Sequence, residues 1–170
     1  DIEQSQSFKL IKDPNSEGSE TDITEQKQLL DKIRVDFEEI SITVNEAEKL
    51  RRQLKDLMPL VSGDVLDNVR SLDSAATQVE NQMIQIKHTG KGQDVIRLPG
   101  VLMEKLSYLA MTVAISDFKP ADQYVEVYEK LHKEWLEVQK AWNEIRNSKV
   151  NALKDSMDEQ QIGPLIIGED

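Results

Sequence analysis

The sequence has no cysteine, few glycines and prolines, and no long apolar run. Without cysteine, the chain can form neither a disulfide nor a thiolate zinc site of its own. Seven Gly and five Pro in 170 residues leave room for long regular elements, which favours helices with solvated faces over an all-β fold. No apolar run approaches the ~20 residues that a membrane span requires. No signal peptide is recognisable.

Basic residues are also scarce relative to acidic ones. The chain has 21 Lys and Arg against 32 Asp and Glu, and its formal net charge is -11. Nucleic-acid binding needs a basic stripe that displaces counterions from phosphates, so this balance argues against a nucleic-acid partner. It argues equally against an anionic membrane surface. The length of 170 residues suits one sizeable domain with an apolar core.

The clearest pattern runs from Pro120 to Arg146, where apolar residues recur at alternating spacings of 4 and 3. Its members are Tyr124, Tyr128, Leu131, Trp135, Val138, Trp142 and Ile145. This spacing predicts a helix that buries one narrow stripe against partner helices. Beyond Arg146 apolar residues continue to about Gln160. Either the helix extends there, or a fifth helix follows an offset near Asn147 and Ser148.

Three further segments show helical spacing. The first begins near Asp22, which we expect to cap the helix together with Glu25, and it ends at Pro59. The second follows Ser62-Gly63-Asp64 and ends at Gly90 and Gly92, so that Lys87 and His88 fall in its last turn. The third is short, with its entry marked by Pro99, and its stripe consists of Leu102, Leu106, Leu109 and Val113.

These segments predict an all-α fold, an antiparallel up-down-up-down four-helix bundle with a short N-terminal extended arm and a C-terminal tail. Residues 1–20 are interpreted as the end of a preceding domain plus a linker, 21–162 as the bundle and 163–170 as the tail. An ordered arm along the helices is the alternative for residues 1–20. In this topology the start of the first helix, the connection 89–98 and the tail share one end.

Metal chemistry has one candidate pattern, Glu129-x-x-His132, which places a carboxylate and an imidazole on one helix face. A di-iron bundle needs a second such pair, but the only other histidine is His88, and Gln85 occupies the matching position. Carboxylate pairs such as Glu38-Glu39 fall on polar faces rather than in a dry cleft. We therefore predict no catalytic, cofactor-binding or metal-binding residues, no cofactor, and a non-enzymatic chain.

Two features could form a contact surface instead. Trp142 lies near the end of its stripe, where a partly exposed aromatic ring could anchor a partner; a core position is the alternative. Lys87, His88, Lys91 and Arg97 form the only basic concentration of this acidic chain. They could contact an acidic neighbouring domain, or they could simply complement the helix dipole.

Several short motifs resemble the C-terminal region of large bacterial proteins with a sortilin-like BNR (Asp-box) propeller, which are often labelled glycosyl hydrolases. The resemblance rests on the run from Phe8 to Pro14, the Gly92-Gln93-Asp94 loop before Pro99, the Pro120-Ala121-Asp122-Gln123 helix start, and Asn151-Ala152-Leu153. It implies a non-catalytic helical appendage on a secreted, periplasmic or cell-envelope protein. No Asp-box residue carries over, because the chain contains no Ser-x-Asp-x-Gly-x-x-Trp repeat.

Three functional hypotheses follow. The first is a helical interaction or scaffold domain at the C-terminus of a larger extracytoplasmic protein, with the preceding domain of the same polypeptide, or another protein, as its partner. The second is an accessory sugar- or peptide-binding module with a groove near Trp142, the 89–98 connection and the tail residues Leu165–Ile167. The third is a free-standing helical oligomer, since narrow stripes also assemble between chains.

Overall fold

The computed structural model describes residues 4–90, 92–159 and 163, and every regular element among these residues is helical. The helices are α1 (Glu20–Leu57), α2 (Gly63–Met83), the single turn α3 (Asp94–Arg97), α4 (Leu102–Val113), α5 (Asp122–Glu144) and α6 (Asn151–Glu159). A 3₁₀ turn (Met58–Leu60) joins α1 to α2, and a π-helix (Ile145–Val150) joins α5 to α6. The predicted all-α fold with four main helices, α1, α2, α4 and α5, is confirmed. The proposed domain boundaries stay a prediction.

The two long helices, α1 and α5, run in the same direction. Three carboxylates of α1 each contact a side chain of α5 that lies 96 residues further along the chain. The pairs are Asp36 with His132 (2.8 Å), Glu39 with Trp135 (3.1 Å) and Glu46 with Trp142 (2.8 Å). A constant sequence offset means that both helices advance together, whereas antiparallel helices would show a constant sum.

The middle helices α2 and α4 both run antiparallel to α1. The short 3₁₀ turn reverses the chain into α2, so that Arg51 of α1 contacts Asp73 and Glu80. At the other end of α1, the Nε2 of Gln26 donates to the carbonyl oxygen of Val113 (2.8 Å), the last residue of α4. α4 therefore keeps the direction of α2, rather than reversing it as the up-down-up-down order would require.

The four helices consequently lie in three columns. The 38 residues of α1 span ~57 Å, and the second column is α2 followed by α4 along the same path. The third column is α5, the π-helix and α6, so each level of the bundle holds three helices. This arrangement places both shorter helices against both long ones, which buries the long stripes over most of their length. α6 packs on α2 at the end of the bundle opposite the start of α1. The sequence analysis instead placed the C-terminal tail at the same end as the start of the first helix. Residues 164–170 of that tail lie outside the described residues.

Two helix boundaries differ from the sequence prediction. α1 begins earlier, because Ser19 rather than Asp22 is its N-cap: Asp22 N donates to Ser19 Oγ (3.0 Å) and Ser19 N donates to the Asp22 carboxylate (2.9 Å). The Ser19 hydroxyl also donates to the Asp22 carboxylate (2.7 Å), and this hydrogen bond, followed by the one from Ser19 N, lowers the pKa of Asp22. α2 ends at Met83, because Ile84 turns to an extended conformation (φ -137°, ψ 142°) and packs against the core. Lys87 and His88 therefore lie beyond the helix, and not in its last turn.

The π-helix explains how the apolar stripe of α5 continues past Arg146. Buried residues of α5 and α6 are three or four apart, except for Ile145 and Val150, which are five apart and both buried. The wider turn of a π-helix accommodates one extra residue, so both side chains still face the core. The helical backbone is thus continuous from Asp122 to Glu159. The extra residue is accommodated within the π-helix, near Asn147 and Ser148, where the sequence predicted an offset.

Deleting Ser148 should convert the π-helix into an ordinary α-helical turn, because the spacing between the two buried side chains falls from five to four. We expect the free energy of unfolding to change by no more than about 1 kcal/mol, since a solvent-exposed residue is lost and the stripe keeps its register. Urea unfolding followed by circular dichroism measures this. Deleting exposed Lys140 is the control, because it rotates the following stripe away from the core. If the two deletions lower the midpoint equally, the register argument is wrong.

Within the described residues, each helix is too short or too polar to cross a lipid bilayer.

Candidate interaction surface

Helix α4 is apolar on its outer face as well as on its inner one. Its twelve residues include only two charged side chains, Glu104 and Lys105. The inner face is buried, whereas Tyr108 is 68% exposed and Met111 is 64% exposed on the outer face. Ile115, one turn beyond Met111, is exposed as well. A helix that is apolar on both faces normally has both faces covered, so the outer face of α4 is a surface without a partner among the described residues.

A groove lies between α4 and α5 and has a volume of about 400 Å³. From α4 it is lined by Lys105, Tyr108, Leu109 and Thr112, and from α5 by Tyr124, Val127, Lys130, Leu131 and Glu134. The α4 residues follow the i, i+3, i+4, i+7 spacing of one helix face. We call it the α4–α5 groove. It is a trough between two antiparallel helices, with apolar walls and charges at its rim.

A second groove, of about 430 Å³, lies on the other side of α4 toward α1. It is lined by Phe37, Ile84, Met103, Glu104, Ser107, Tyr108 and Met111. We call it the α1–α4 groove. Tyr108 stands on the ridge between the two grooves and borders both. The outer face of α4 and its two grooves therefore form one continuous apolar surface.

The two grooves differ in charge. At the α4–α5 groove, Lys105 lies 3.6 Å from Glu134, while Lys130 has no ion pair within the described part of the chain. The rim is thus weakly basic. The α1–α4 groove has one charged lining residue, Glu104, whose carboxylate accepts hydrogen bonds from the backbone N–H groups of Gln85 (3.3 Å) and Val101 (3.1 Å). This second groove is therefore apolar with a single negative charge.

Trp142, for which the sequence left open a docking anchor or a core position, is a core residue. Its side chain is 1% exposed, and its indole N–H donates to Glu46 (2.8 Å) across the α1–α5 contact. The position belongs to the core, because the stripe runs through it into the π-helix. The groove expected near Trp142 is consequently not lined by this ring, and the tail residues Leu165–Ile167 that were to complete it lie outside the described residues.

The predicted basic cluster is spread along the connection between α2 and α4. Lys87 and Arg97 are exposed, His88 is half-buried, and Lys91 lies outside the described residues. No hydrogen bond or ion pair joins Lys87, His88 and Arg97 to one another in the part of the chain that the structure describes. The His88 Nε2 atom is buried without a hydrogen-bond partner there. The structure does not bring these residues together into one site.

The Glu129-x-x-His132 pattern does not converge on a metal position. The His132 Nδ1 atom lies 2.8 Å from a carboxylate oxygen of Asp36, and its ring stacks on Tyr128. Burial raises the pKa of the Tyr128 phenol, and the negative charge of the nearby Asp36 carboxylate raises it further. Glu129 is exposed at the border of a separate cleft. Among the described residues, no group of three or more His, Cys, Asp or Glu side chains could hold a metal ion.

Comparisons with protein-family models, with curated proteins and with solved structures find no match for this chain.

Sequence reasoning missed the outer face of α4. The predicted stripe of the third helix contained Leu102, Leu106, Leu109 and Val113, and all four are buried. The missed signal is a second stripe with spacings of three and four, formed by Tyr108 and Met111 on the same helix and Ile115 just past its end. An isolated exposed apolar residue needs no explanation, but a second stripe at helical spacing indicates a second covered face.

Proposed function

We propose that this chain is a non-catalytic helical module that binds a protein partner through the outer face of α4. One observation carries the proposal: α4 has apolar side chains on both faces, and among the described residues the bundle covers the inner face but not the outer one. Contiguous exposed apolar patches mark interaction sites more often than scattered residues do. The face combines an exposed tyrosine and an exposed methionine, and both residue types are enriched where proteins meet.

A peptide-binding role is the variant of this proposal that the α4–α5 groove favours. The groove is about 400 Å³, within the range of pockets that hold small ligands. Its walls are mainly apolar, and its charged groups stay at the rim. Apolar side chains of a peptide would fit such walls, whereas the hydroxyl groups of a sugar would find few hydrogen-bonding partners there.

The resemblance to propeller proteins supports a wider proposal about context. We propose that the module follows a larger extracytoplasmic propeller domain, which is one candidate for the partner. The support is the set of short motifs from Phe8 to Pro14, around Gly92 and at Pro120. The sequence encoded immediately upstream of Asp1 tests it: Asp-box repeats would support this context, and their absence would remove it.

Site-specific photocrosslinking tests the interaction function. A benzophenone amino acid at Tyr108, introduced into the chain in its own cells, should yield a discrete adduct, because this ring lies at the centre of the exposed face. The same group at Ser74 of α2, exposed and outside both grooves, is the matched control. The crosslinked protein is then purified and its affinity measured for the wild type and for Met111→Lys, which should bind at least about tenfold more weakly.

The exposed position of both residues makes this test interpretable. Tyr108 and Met111 contribute little to the core, so their substitution should change the free energy of unfolding by no more than about 0.5 kcal/mol. Equal crosslinking from Tyr108 and Ser74, or no adduct from Tyr108, would contradict an interaction through α4.

A further inference from the structure

The N-terminal arm is a second apolar feature without a cover in the described part of the chain. In residues 4–17 the structure has no helix or strand, and the side chains of Phe8 and Leu10 are 82% and 85% exposed. Ile11 is exposed too. We call residues 8–11 the apolar arm. Contact between the arm and the outer face of α4 would remove apolar side chains of both from water, which is favourable.

The base of the arm lies beside the C-terminal end of α4. Gly18 is buried against the connection between α4 and α5, where a Cβ atom would overlap the carbonyl oxygen of Asp117. Asp117 comes four residues after Val113, the last residue of α4. The close contact leaves no room for a side chain at position 18. The arm therefore leaves the bundle at a defined point next to the apolar face.

A β-turn supplies the change of direction that the arm needs in order to run back along the bundle. α1 begins at the end of the bundle where α4 ends, so a chain that continued straight back from Gly18 would leave the bundle. At Asp13–Ser16 the chain turns instead, and a backbone hydrogen bond of 3.1 Å joins the two ends of this turn. The N–H of Asn15 also donates to the Asp13 carboxylate (2.8 Å), and Pro14 occupies a position that favours such turns. Residues before the turn can therefore double back toward α4.

The lengths of the arm and of the exposed stripe on α4 agree. The four residue steps from Lys12 back to Phe8 span up to ~13 Å when the chain is extended. The seven residue steps from Tyr108 to Ile115 span ~10 Å along the helix axis. The arm can therefore cover the whole stripe while its base stays in place.

The tether, rather than charge, selects the arm as the occupant. Residues 8–17 contain two lysines and two acidic residues, so their formal charge is zero. The α1–α4 groove has one charged lining residue, Glu104, whose carboxylate already accepts two backbone hydrogen bonds. Contact within one chain does not bring two chains of net charge -11 together. An attached segment has an effective concentration on the order of millimolar, so a modest apolar contact is enough to close it.

We propose that the apolar arm is a strap that closes over the outer face of α4 in its own chain, with its apolar side chains in the α1–α4 groove. The structure holds the open arrangement, in which Phe8 and Met111 are both exposed. In the closed arrangement the strap covers the surface that binds the partner, so strap and partner compete. The inference rests on the proposed function, because it describes how access to that same face is regulated.

Disulfide exchange within the chain tests the closure, because the chain has no cysteine of its own. Lys9→Cys in the arm and Ser107→Cys in the α1–α4 groove are combined and equilibrated with a glutathione buffer at low protein concentration. The disulfide yield gives the effective concentration of the two thiols. Adding the arm variant Phe8→Asp/Leu10→Asp should lower this effective concentration at least about tenfold, roughly the effect of losing one buried apolar side chain.

Two further variants isolate the apolar contact. Gln4→Asp/Gln6→Asp places the same two charges just before the apolar arm and should leave the effective concentration unchanged. Met111→Lys changes the face instead of the arm and should lower the effective concentration as the arm variant does. An effective concentration that survives either the arm variant or Met111→Lys, or a disulfide that forms mainly between chains, would overturn the strap.

Crosslinking from Tyr108 separates this inference from the proposed function. A benzophenone amino acid at Tyr108 should give at least about twofold more partner adduct in the arm variant than in the wild type, because apparent affinity scales with the open fraction. An equal yield of adduct from both chains would contradict the competition and leave the proposed function standing. Closure in the disulfide test without a partner adduct from either chain would leave the strap standing and remove the proposed function.

Discussion

Replacing Arg51 by alanine should destabilise the bundle by about 3–5 kcal/mol, because it leaves a carboxylate buried without its counter-charge. The Glu80 side chain of α2 is 2% exposed, and its carboxylate contacts the Arg51 guanidinium in α1. Asp73 lies 3.4 Å from the same guanidinium. Arg51 is thus the link between α1 and two acidic residues of α2. Urea unfolding monitored by circular dichroism measures the loss.

Two further variants separate the charge effect from lost packing. Arg52→Ala removes the same side chain one position away, where it is exposed, and should change the free energy of unfolding by no more than about 0.5 kcal/mol. Arg51→Met combined with Glu80→Leu removes both charges and should recover most of the stability. A double variant as unstable as Arg51→Ala would show that packing, and not the unpaired carboxylate, causes the loss.

Arg51 also shows where apolar spacing stops being informative. The helix stripes predict the buried positions well, because burial of apolar side chains is the main term that selects the inner face. Gln26, Asp36 and Glu80 are nevertheless buried, each with a partner on another helix. Those partners lie between 29 and 96 residues away along the chain, and no local spacing encodes them.

The order of the helices could not be predicted for a related reason. Helix lengths and amphipathic faces are local properties, whereas the direction of α4 depends on what the connection 84–101 does in space. The short loops of an up-down-up-down bundle force each helix to reverse. A long connection does not, so α4 can resume the path of α2. The outer face of α4 becomes exposed by this choice, because no fourth column covers it in the part of the chain that the structure describes.

The parallel contact between α1 and α5 explains the positions of both tryptophans. Along α1, Glu39 and Glu46 are seven residues apart, and the indole N–H groups of Trp135 and Trp142 repeat at the same interval on α5. Each ring therefore fills the core while its polar atom reaches a carboxylate at the edge. Buried indoles usually need such a partner. The sequence pattern predicted the apolar role of Trp135, and the structure adds its hydrogen bond.

Replacing Trp135 by alanine should cost about 3–5 kcal/mol in the free energy of unfolding, because the side chain is fully buried at the centre of α5. The substitution leaves a large cavity between the columns, and it removes the N–H donor that lies 3.1 Å from Glu39.

Trp135→Phe is the control: it keeps most of the buried ring but removes the donor. Because Glu39 is solvent-exposed and also receives a hydrogen bond from Gln139, the missing donor should matter little. We therefore expect Trp135→Phe to lower the free energy of unfolding by less than half as much as Trp135→Ala does. Urea unfolding of the three chains measures both steps. An unchanged midpoint for Trp135→Ala would place this residue outside the core and contradict the three-column packing.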